Sequence, residues 1–90
     1  MQQPEVTHDP AGDRFFLTVE DAEVVVRYQM VDDQTMNIVS TYTPPELRRR
    51  GLARIVVDFA LDHAAASEMD IQASCWYANR ILRQRREEEE

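Results

Sequence analysis

The hydrophobic pattern changes its period near the middle of the chain, and this change restricts the folds available to the sequence. From Arg14 to Thr43 apolar and polar residues alternate, which is the period of a half-buried β-strand. From Leu52 onward apolar residues recur every three or four positions, as in an amphipathic helix. A chain of 90 residues has material for one core only. We therefore predict a single domain of mixed α/β class.

The alternating half contains three segments that we expect to be β-strands. Short polar stretches at residues 20–22 and 31–34 separate them, which predicts hairpin turns and an antiparallel meander. The residues expected to share one face of each strand are Phe15, Leu17 and Val19, then Val24, Val26, Tyr28 and Met30, and finally Met36, Ile38, Ser40 and Tyr42.

The helical half predicts a long helix, a short buried strand and a second helix. The span from residue 36 to residue 75 is long enough for a right-handed parallel crossover. The fold expected is thus a meander followed by a strand-helix-strand-helix unit. The residues expected to face the core are Leu52, Ile55, Val56, Phe59, Ala60 and His63 in the first helix, Ile71, Ala73 and Cys75 in the strand, and Tyr77, Ala78, Ile81 and Leu82 in the last helix.

The two ends of the chain differ in composition from this unit. Pro4, Pro10 and Gly12 make residues 1–13 a predicted loosely ordered lead-in. The glutamate run at residues 87–90 predicts an acidic tail that frays, because negative charge is unfavourable at a helix C-terminus. We expect the domain to span residues 14–86.

Charge is distributed unevenly along the chain, whose formal net charge is -7. Residues 47–86 nevertheless contain eight arginines and four acidic residues, and the sequence contains no lysine. Arginine presents a planar fork that suits phosphate oxygens, so the cluster favours a phosphorylated ligand. The acidic first half disfavours nucleic acid as a partner and slightly favours a cationic one.

Several classes of protein are disfavoured by the composition. A single cysteine, Cys75, cannot form an internal disulfide, and with only two distant histidines, His8 and His63, no metal-ligand spacing is present. We expect no metal cofactor. No apolar run approaches the roughly 18 residues of a membrane span, and the first residues lack the pattern of a secretory signal, so we expect a cytoplasmic location.

The segment Arg48 to Ala53, "RRRGLA", carries the first functional hypothesis. Thr43 and Glu46 have the spacing of a capping box, which predicts a short capped turn before the long helix. If the long helix begins near Gly51, its free backbone amides point out of the helix N-terminus and form an anion site. Gly51 lets a ligand approach the backbone, and the arginines neutralise phosphate charge. The alternative is a solvated loop without a ligand.

The sequence resembles the GNAT acetyltransferase superfamily, whose signature Gln/Arg-x-x-Gly-x-Gly/Ala is matched by Arg48, Gly51 and Ala53. "TYTPPELRRRGLA" followed by "SCWY" is similar to a branch of very short GNAT-like proteins. The resemblance covers about residues 6–83 and implies a minimal GNAT-like fold. Two departures are visible: Ser40 stands where close relatives carry histidine, and Arg49 stands where they carry glycine.

The resemblance implies that acetyl-CoA is bound as a cosubstrate. It places the pyrophosphate on the amides around Arg49 to Ala53 and the pantetheine arm along the strand edge from Thr41 to Thr43. Asn79 is a further candidate contact at the start of the last helix. The cofactor-binding residues expected are Thr41, Tyr42, Thr43, Arg48, Arg49, Arg50, Gly51, Leu52, Ala53 and Asn79.

The resemblance also implies direct attack of an amine on the thioester, which needs a proton donor for the departing thiolate. Cys75 and Tyr77 are the candidate acids, with acetyl transfer through Cys75 as a variant, and each also has a plain packing role available. Ser40 completes the candidate catalytic set, although its hydroxyl cannot act as a base near neutral pH. A base role for His63 is a minor alternative.

We therefore expect an N-acetyltransferase that acts on a small amine or a basic peptide end. Trp76 and Tyr42 are candidates for the lining of an acceptor groove. The alternative is a non-catalytic domain that binds CoA or another protein and has a degenerate active site.

Overall fold

The structure, a computed structural model, describes residues 5–88, which form a five-stranded sheet and two α-helices. The strands are β1 (Thr7–Asp9), β2 (Arg14–Val19), β3 (Ala22–Asp32), β4 (Thr35–Tyr42) and β5 (Asp70–Ala73), and the helices are α1 (Leu52–Ala66) and α2 (Trp76–Glu88). The strands lie in chain order, antiparallel from β1 to β4, while β5 is parallel to β4. The predicted mixed α/β class, meander and crossover are confirmed.

Both helices pack on one face of the sheet and share one core with it. α1 lies over β2 and β3, and α2 lies over β4 and β5 beside α1. The fully buried side chains include Phe15, Leu17, Val24, Val26, Met36, Ile38, Leu47, Val56 and Val57. The alternation read from the sequence therefore places the core correctly in β2, in β3 as far as Tyr28 and in the first half of β4, whereas Met30, expected on the same face, is 42% exposed.

β4 contains a bulge that changes which of its residues face the core. Tyr28 pairs with Ile38, but the preceding Arg27 pairs with Ser40, so Val39 is an extra residue on β4. An extra residue exchanges the faces of all residues that follow it. The prediction that Ser40 and Tyr42 share a face with Ile38 is thus wrong, because Thr41 takes the inward position.

β5 pairs with β4 only from Thr35 to Ile38. Beyond that point the backbone amides of Ser74 and Cys75 both donate to the carbonyl of Ile38, at 3.1 and 3.2 Å. The chain then turns into α2. The last residues of β4 therefore have no strand partner on the side of β5, and the sheet opens there.

Two further expectations are corrected. The lead-in contains a strand, since β1 pairs with β2 through Thr7 and Phe16; a three-residue edge strand is too short to show a period. Glu87 and Glu88 continue α2, while residues 1–4, 89 and 90 of the expected lead-in and tail lie outside the described residues. The domain limits at 14 and 86 stay a prediction.

The helix faces also differ in part from the expectation. Ile55 and Phe59 of α1 are 37% and 39% exposed, whereas Val57 and Leu61 are buried in their place. Because apolar residues occupy adjacent positions on α1, two overlapping sets of them have the spacing of a core-facing helix side. The period of the sequence alone does not show which set faces the core. In β5, Ile71 and Ala73 are only half-buried. Within the described residues, neither helix is long and apolar enough to cross a membrane.

Candidate functional site

A cleft of about 510 Å³ opens where the end of β4 meets the start of α1. α2 begins beside it, so three elements enclose the cleft. Eight residues predicted for cofactor binding line it: Thr41, Tyr42, Thr43, Arg48, Arg49, Gly51, Leu52 and Ala53. Leu47, Trp76 and Tyr77 complete the lining.

Gly51 occupies the N-cap position of α1 and has φ of +72°, in the left-handed region that favours glycine. No side chain caps the helix there. A Cβ atom placed on Gly51 would meet no atom within 4 Å, so the glycine leaves open space above the first turn. The amides of this turn therefore face an open cleft, which is the arrangement that binds anions at helix N-termini.

The preceding turn at Pro45–Leu47 is a 3-10 helix, and the capping box predicted for Thr43 and Glu46 is absent. Its N-cap is Pro44 instead of Thr43. Proline has no backbone N–H for a glutamate side chain to bind, so the reciprocal half of a capping box cannot form.

The three consecutive arginines have different environments. Arg48 donates from Nε to the carbonyl of Thr43 at 3.0 Å, which holds its side chain against the end of β4. Arg49 lines the cleft and has φ of +68°, the kind of conformation that glycine adopts most readily. Arg50 lies outside the cleft lining and pairs with Glu20 at 3.4 Å. Two arginines, rather than three, therefore contribute charge to the cleft.

Two of the predicted catalytic residues lie at the inner end of this region. Tyr77 lines the cleft, and the half-buried Cys75 places its Sγ 3.8 Å from Oγ1 of Thr41. Thr41 thus connects the cleft to Cys75. Ser40, the third, is exposed and lies on the other face of β4 because of the bulge. Tyr77 therefore lines the cleft, Cys75 lies beside Thr41 of its lining, and Ser40 is apart from both.

Asn79 does not line this cleft. Its side-chain amide donates to the carbonyl of Ala73 at 3.2 Å, and it borders a separate depression on α2. Leu47 is the lining residue that the sequence does not reveal, because it looks like an ordinary core residue. Trp76, which belongs to the "SCWY" motif, is 75% exposed and lines the cleft, although the sequence suggests it for an acceptor groove and not for the cofactor.

The histidines lie outside the cleft lining, in an aromatic cluster with Phe15. The His8 ring stacks on Phe15 with centroids 4.3 Å apart, and His63 approaches His8 edge-on at 4.5 Å. His8 Nε2 is 2.7 Å from the hydroxyl of Tyr28. Burial, followed by the charge of His63, lowers the pKa of His8. Among residues 5–88 no group of three or more potential ligands is arranged to hold a metal ion.

The comparison with protein families gives the arrangement a context. The profile of the GCN5-related N-acetyltransferases matches residues 14–90. The chain belongs to this family. Protein NATD1 of Xenopus tropicalis is 24% identical over 81 residues, which cover 88% of this chain and 74% of that protein.

The fold agrees with that of a solved structure. The NMR solution structure of a GCN5-like protein from Staphylococcus aureus superposes with a TM-score of 0.73 and 23% identity. The match covers 99% of this chain and 87% of the other. The family resemblance and the GNAT-like fold expected from the sequence are both confirmed.

Proposed function

We propose that this protein is an N-acetyltransferase that binds acetyl-CoA in the cleft beside Gly51 and acetylates an amine. One observation carries the proposal: the uncapped N-terminus of α1, the open space above Gly51 and the guanidinium groups of Arg48 and Arg49 meet in a single cleft. Backbone amides and arginine forks together suit a pyrophosphate group. Membership of the GCN5-related N-acetyltransferase family supports the same ligand.

The residues present fit two parts of such a ligand, its pyrophosphate and its pantetheine arm. The amides of Leu52 and Ala53, with Arg48 and Arg49 beside them, are suited to the pyrophosphate. The part of β4 from Thr41 onward lacks a strand partner on the side of β5, so its backbone is available to hydrogen-bond an extended amide chain. The pantetheine arm of acetyl-CoA is a chain of this kind.

When bound, acetyl-CoA supplies an activated acetyl thioester. In the proposed reaction the amine nitrogen forms a bond to the acetyl carbon, the carbon–sulfur bond breaks, and the departing thiolate takes a proton. Tyr77 is the first candidate for that proton, because its side chain lines the cleft, and Cys75 is the second. The acceptor amine must bind in its neutral form or lose its extra proton to water. Ser40 cannot remove that proton, because it faces away from the cleft and its hydroxyl is not a base near neutral pH.

The second candidate function is a CoA-binding domain without catalysis. The position of Ser40 away from the cleft favours it, and among residues 5–88 the only basic side chains in the cleft lining are those of Arg48 and Arg49. Binding without turnover for any amine would support this function. We also propose a cytoplasmic location, because a single half-buried thiol fits a reducing compartment.

Calorimetric titration with acetyl-CoA and with CoA tests the proposal. We expect the natural protein to bind both ligands. Gly51→Asp should bind neither, because the new carboxylate would occupy the pyrophosphate position. Gly51→Asn is the matched control, since asparagine has nearly the same size and tolerates a positive φ about as well but carries no charge.

The control separates charge from backbone strain. Retention of binding in Gly51→Asn together with its loss in Gly51→Asp supports a pyrophosphate site at the start of α1. Equal loss in both variants would instead assign the effect to the backbone. Absence of binding to the natural protein would overturn the proposed function.

A further inference from the structure

A second depression, of about 550 Å³, lies on the outer side of α2 and adjoins the cleft. Its main lining residues are Ser74, Trp76, Asn79, Arg80, Arg83 and Glu87. Trp76 lines both the depression and the cleft, so the two meet at its ring. Ser74 precedes Cys75 directly. The depression therefore lies next to the place where the proposed acetyl transfer occurs.

The floor of the depression is held by hydrogen bonds within the protein. Asn37 donates from Nδ2 to Oγ of Ser74 and accepts from the backbone N–H of Ser74, both at 3.0 Å. Asn79 donates to the carbonyl of Ala73. These polar groups fix the connection between β5 and α2. The guanidinium groups of Arg80 and Arg83 are the charged donors left to meet a ligand.

Arg80 and Arg83 lie one turn apart on the same side of α2. Neither is paired with a carboxylate among residues 5–88, whereas Arg54 and Arg85 are both paired with Asp58. Glu87 borders the depression but makes no ion pair within the described part of the chain. Two neighbouring guanidinium forks form a wall suited to a carboxylate or phosphate group.

Trp76 is the only tryptophan of the chain and is 75% exposed. Its ring stands edge-on to Tyr77, with centroids 5.9 Å apart, so Tyr77 supports one side of it. An exposed aromatic platform beside two arginines suits the carbon skeleton of a small anionic molecule. The volume of the depression falls within the usual range of small-molecule sites, about 300–1,000 Å³.

We propose that this depression binds the acceptor, and that the acceptor is a small primary amine which also carries a carboxylate or phosphate group. The inference rests on the proposed function. Arg80 and Arg83 would hold the anionic group while the amine reaches the acetyl carbon near Cys75. Transfer yields the N-acetyl amine and the free thiol of CoA, and the amine proton leaves to water.

The helix geometry limits the length of such an acceptor. Arg80 and Arg83 follow Cys75 by five and eight residues, which corresponds to roughly 8 and 12 Å along a helix axis. Helical side chains lean toward the N-terminus, so the guanidinium groups reach back toward Cys75 and shorten this distance. The acidic first half of the chain favours a cationic acceptor. Charges more than about 10 Å apart are largely screened, however, so the nearby Arg80 and Arg83 determine the charge that the depression prefers in its ligand.

A matched pair of acceptors tests the inference. Release of CoA from acetyl-CoA is measured with 2-aminoethyl phosphate and with ethanolamine, which differ only in the phosphate. We expect kcat/KM to be about tenfold or more higher for the phosphate compound, because a charge-assisted hydrogen bond is worth about 1.5–3 kcal/mol, which corresponds to roughly tenfold or more. The double variant Arg80→Gln/Arg83→Gln should lose this preference. Arg86→Gln on the same helix is the control, since Arg86 lies outside the depression and donates to the carbonyl of Ile71.

Titration of the fluorescence of Trp76 with 2-aminoethyl phosphate gives a second readout that does not depend on turnover. A saturable change in the natural protein that disappears in the double variant supports the inference. Equal kcat/KM for the two amines, or a fluorescence change unaltered in the double variant, overturns it and leaves acetyl transfer standing. Failure of the natural protein to bind acetyl-CoA overturns both proposals.

Discussion

Thr41, Cys75 and Tyr77 meet where β4 loses its partner strand. Thr41 faces inward only because Val39 is an extra residue in β4, and its Oγ1 lies 3.8 Å from the Sγ of Cys75. Tyr77 lies in the first turn of α2 and lines the cleft together with Thr41. A hydroxyl that lines the cleft is better placed to deliver a proton to a bound ligand than a thiol behind it.

The first prediction concerns this difference between Tyr77 and Cys75. We expect Tyr77→Phe to lower kcat about 10²-fold or more while the Kd for acetyl-CoA changes little, because a general acid acts mainly in the transition state. Cys75→Ser keeps a small polar side chain beside Thr41 and should lower kcat only a few-fold. Steady-state kinetics and calorimetry on each variant measure the two effects.

A larger loss of kcat in Cys75→Ser than in Tyr77→Phe would identify Cys75 as the proton donor. If Cys75→Ser abolishes turnover and Tyr77→Phe does not, the thiol takes the chemical role. Trapping of an acetylated Cys75 by mass spectrometry would then separate proton donation from transfer through the thiol.

At the scale of elements, the sequence predicts the features that depend on the local pattern of residues. It does not predict the features that depend on how neighbouring strands pair. The strands from β2 to β5, the two helices and a turn with Gly51 before α1 follow from period and motif, and the structure has them. The bulge at Val39 arises from the register between β3 and β4, so no alternation within β4 reveals it. The misplacement of Ser40 follows from this single residue.

The candidate site likewise has one part that depends on local sequence and one that depends on tertiary packing. The end of β4 and the start of α1 belong to one stretch of sequence, and of the cofactor-binding residues predicted there all but Arg50 line the cleft. The depression on α2 depends on how α2 packs beside β5, which is a tertiary property. Arg80 and Arg83 therefore look like an ordinary solvated helix face in the sequence.

Arg85 joins the two helices through a small polar network. It donates to the backbone carbonyl of Asp58 at 3.2 Å and to the carboxylates of Asp58 and Asp62. The hydrogen bond to Asp62, followed by the charges of Asp62 and Asp58, raises the pKa of Arg85. Arg54 reaches the same region from α1 and donates to Gln84 at 3.0 Å. The network lies where α1 and α2 touch, so it fixes their relative position.

The prediction at this scale is that Arg85→Met lowers the free energy of unfolding by about 1–2 kcal/mol, since one partly buried arginine serves several acceptors. Arg83→Met removes a guanidinium from the solvent side of the same helix and should cost at most about 0.5 kcal/mol. Urea denaturation followed by circular dichroism compares the two. Equal stability of both variants would mean that the network adds nothing to apolar packing.

At the scale of the whole molecule, β1 is held at the sheet edge by contacts that depend on protonation. β1 has only three residues, and its central His8 carries the contacts to Phe15, Tyr28 and His63. Burial lowers the pKa of His8, the charge of His63 lowers it further, and the nearby Asp9 opposes the shift. The fold therefore favours neutral His8.

The sign of the pH dependence follows from this lowered pKa. Below the ordinary histidine pKa of about 6.5 the unfolded chain binds a proton at His8 more readily than the folded chain does. The free energy of unfolding should therefore be greatest above pH 6.5 and decline as the pH falls through the lowered value. Asp9 also has a lowered pKa, caused first by its hydrogen bond from Arg14, but its contribution is lost only below about pH 4. Tyr28, whose pKa is raised by burial, does not titrate in this range.

We therefore expect the temperature of the unfolding midpoint to decrease as the pH is lowered from 7 to 5. This decrease should be smaller in His8→Gln. Glutamine can still accept a hydrogen bond from the hydroxyl of Tyr28 but does not titrate, so the variant separates protonation from loss of the contact. His63→Gln should also flatten the decline, because it removes the charge that opposes protonation of His8. Differential scanning calorimetry across this range measures all three proteins. If the melting temperatures of the natural protein and of His8→Gln change with pH in parallel, the charge on His8 does not affect the stability of the edge strand. Other groups would then determine the pH dependence of stability in this range.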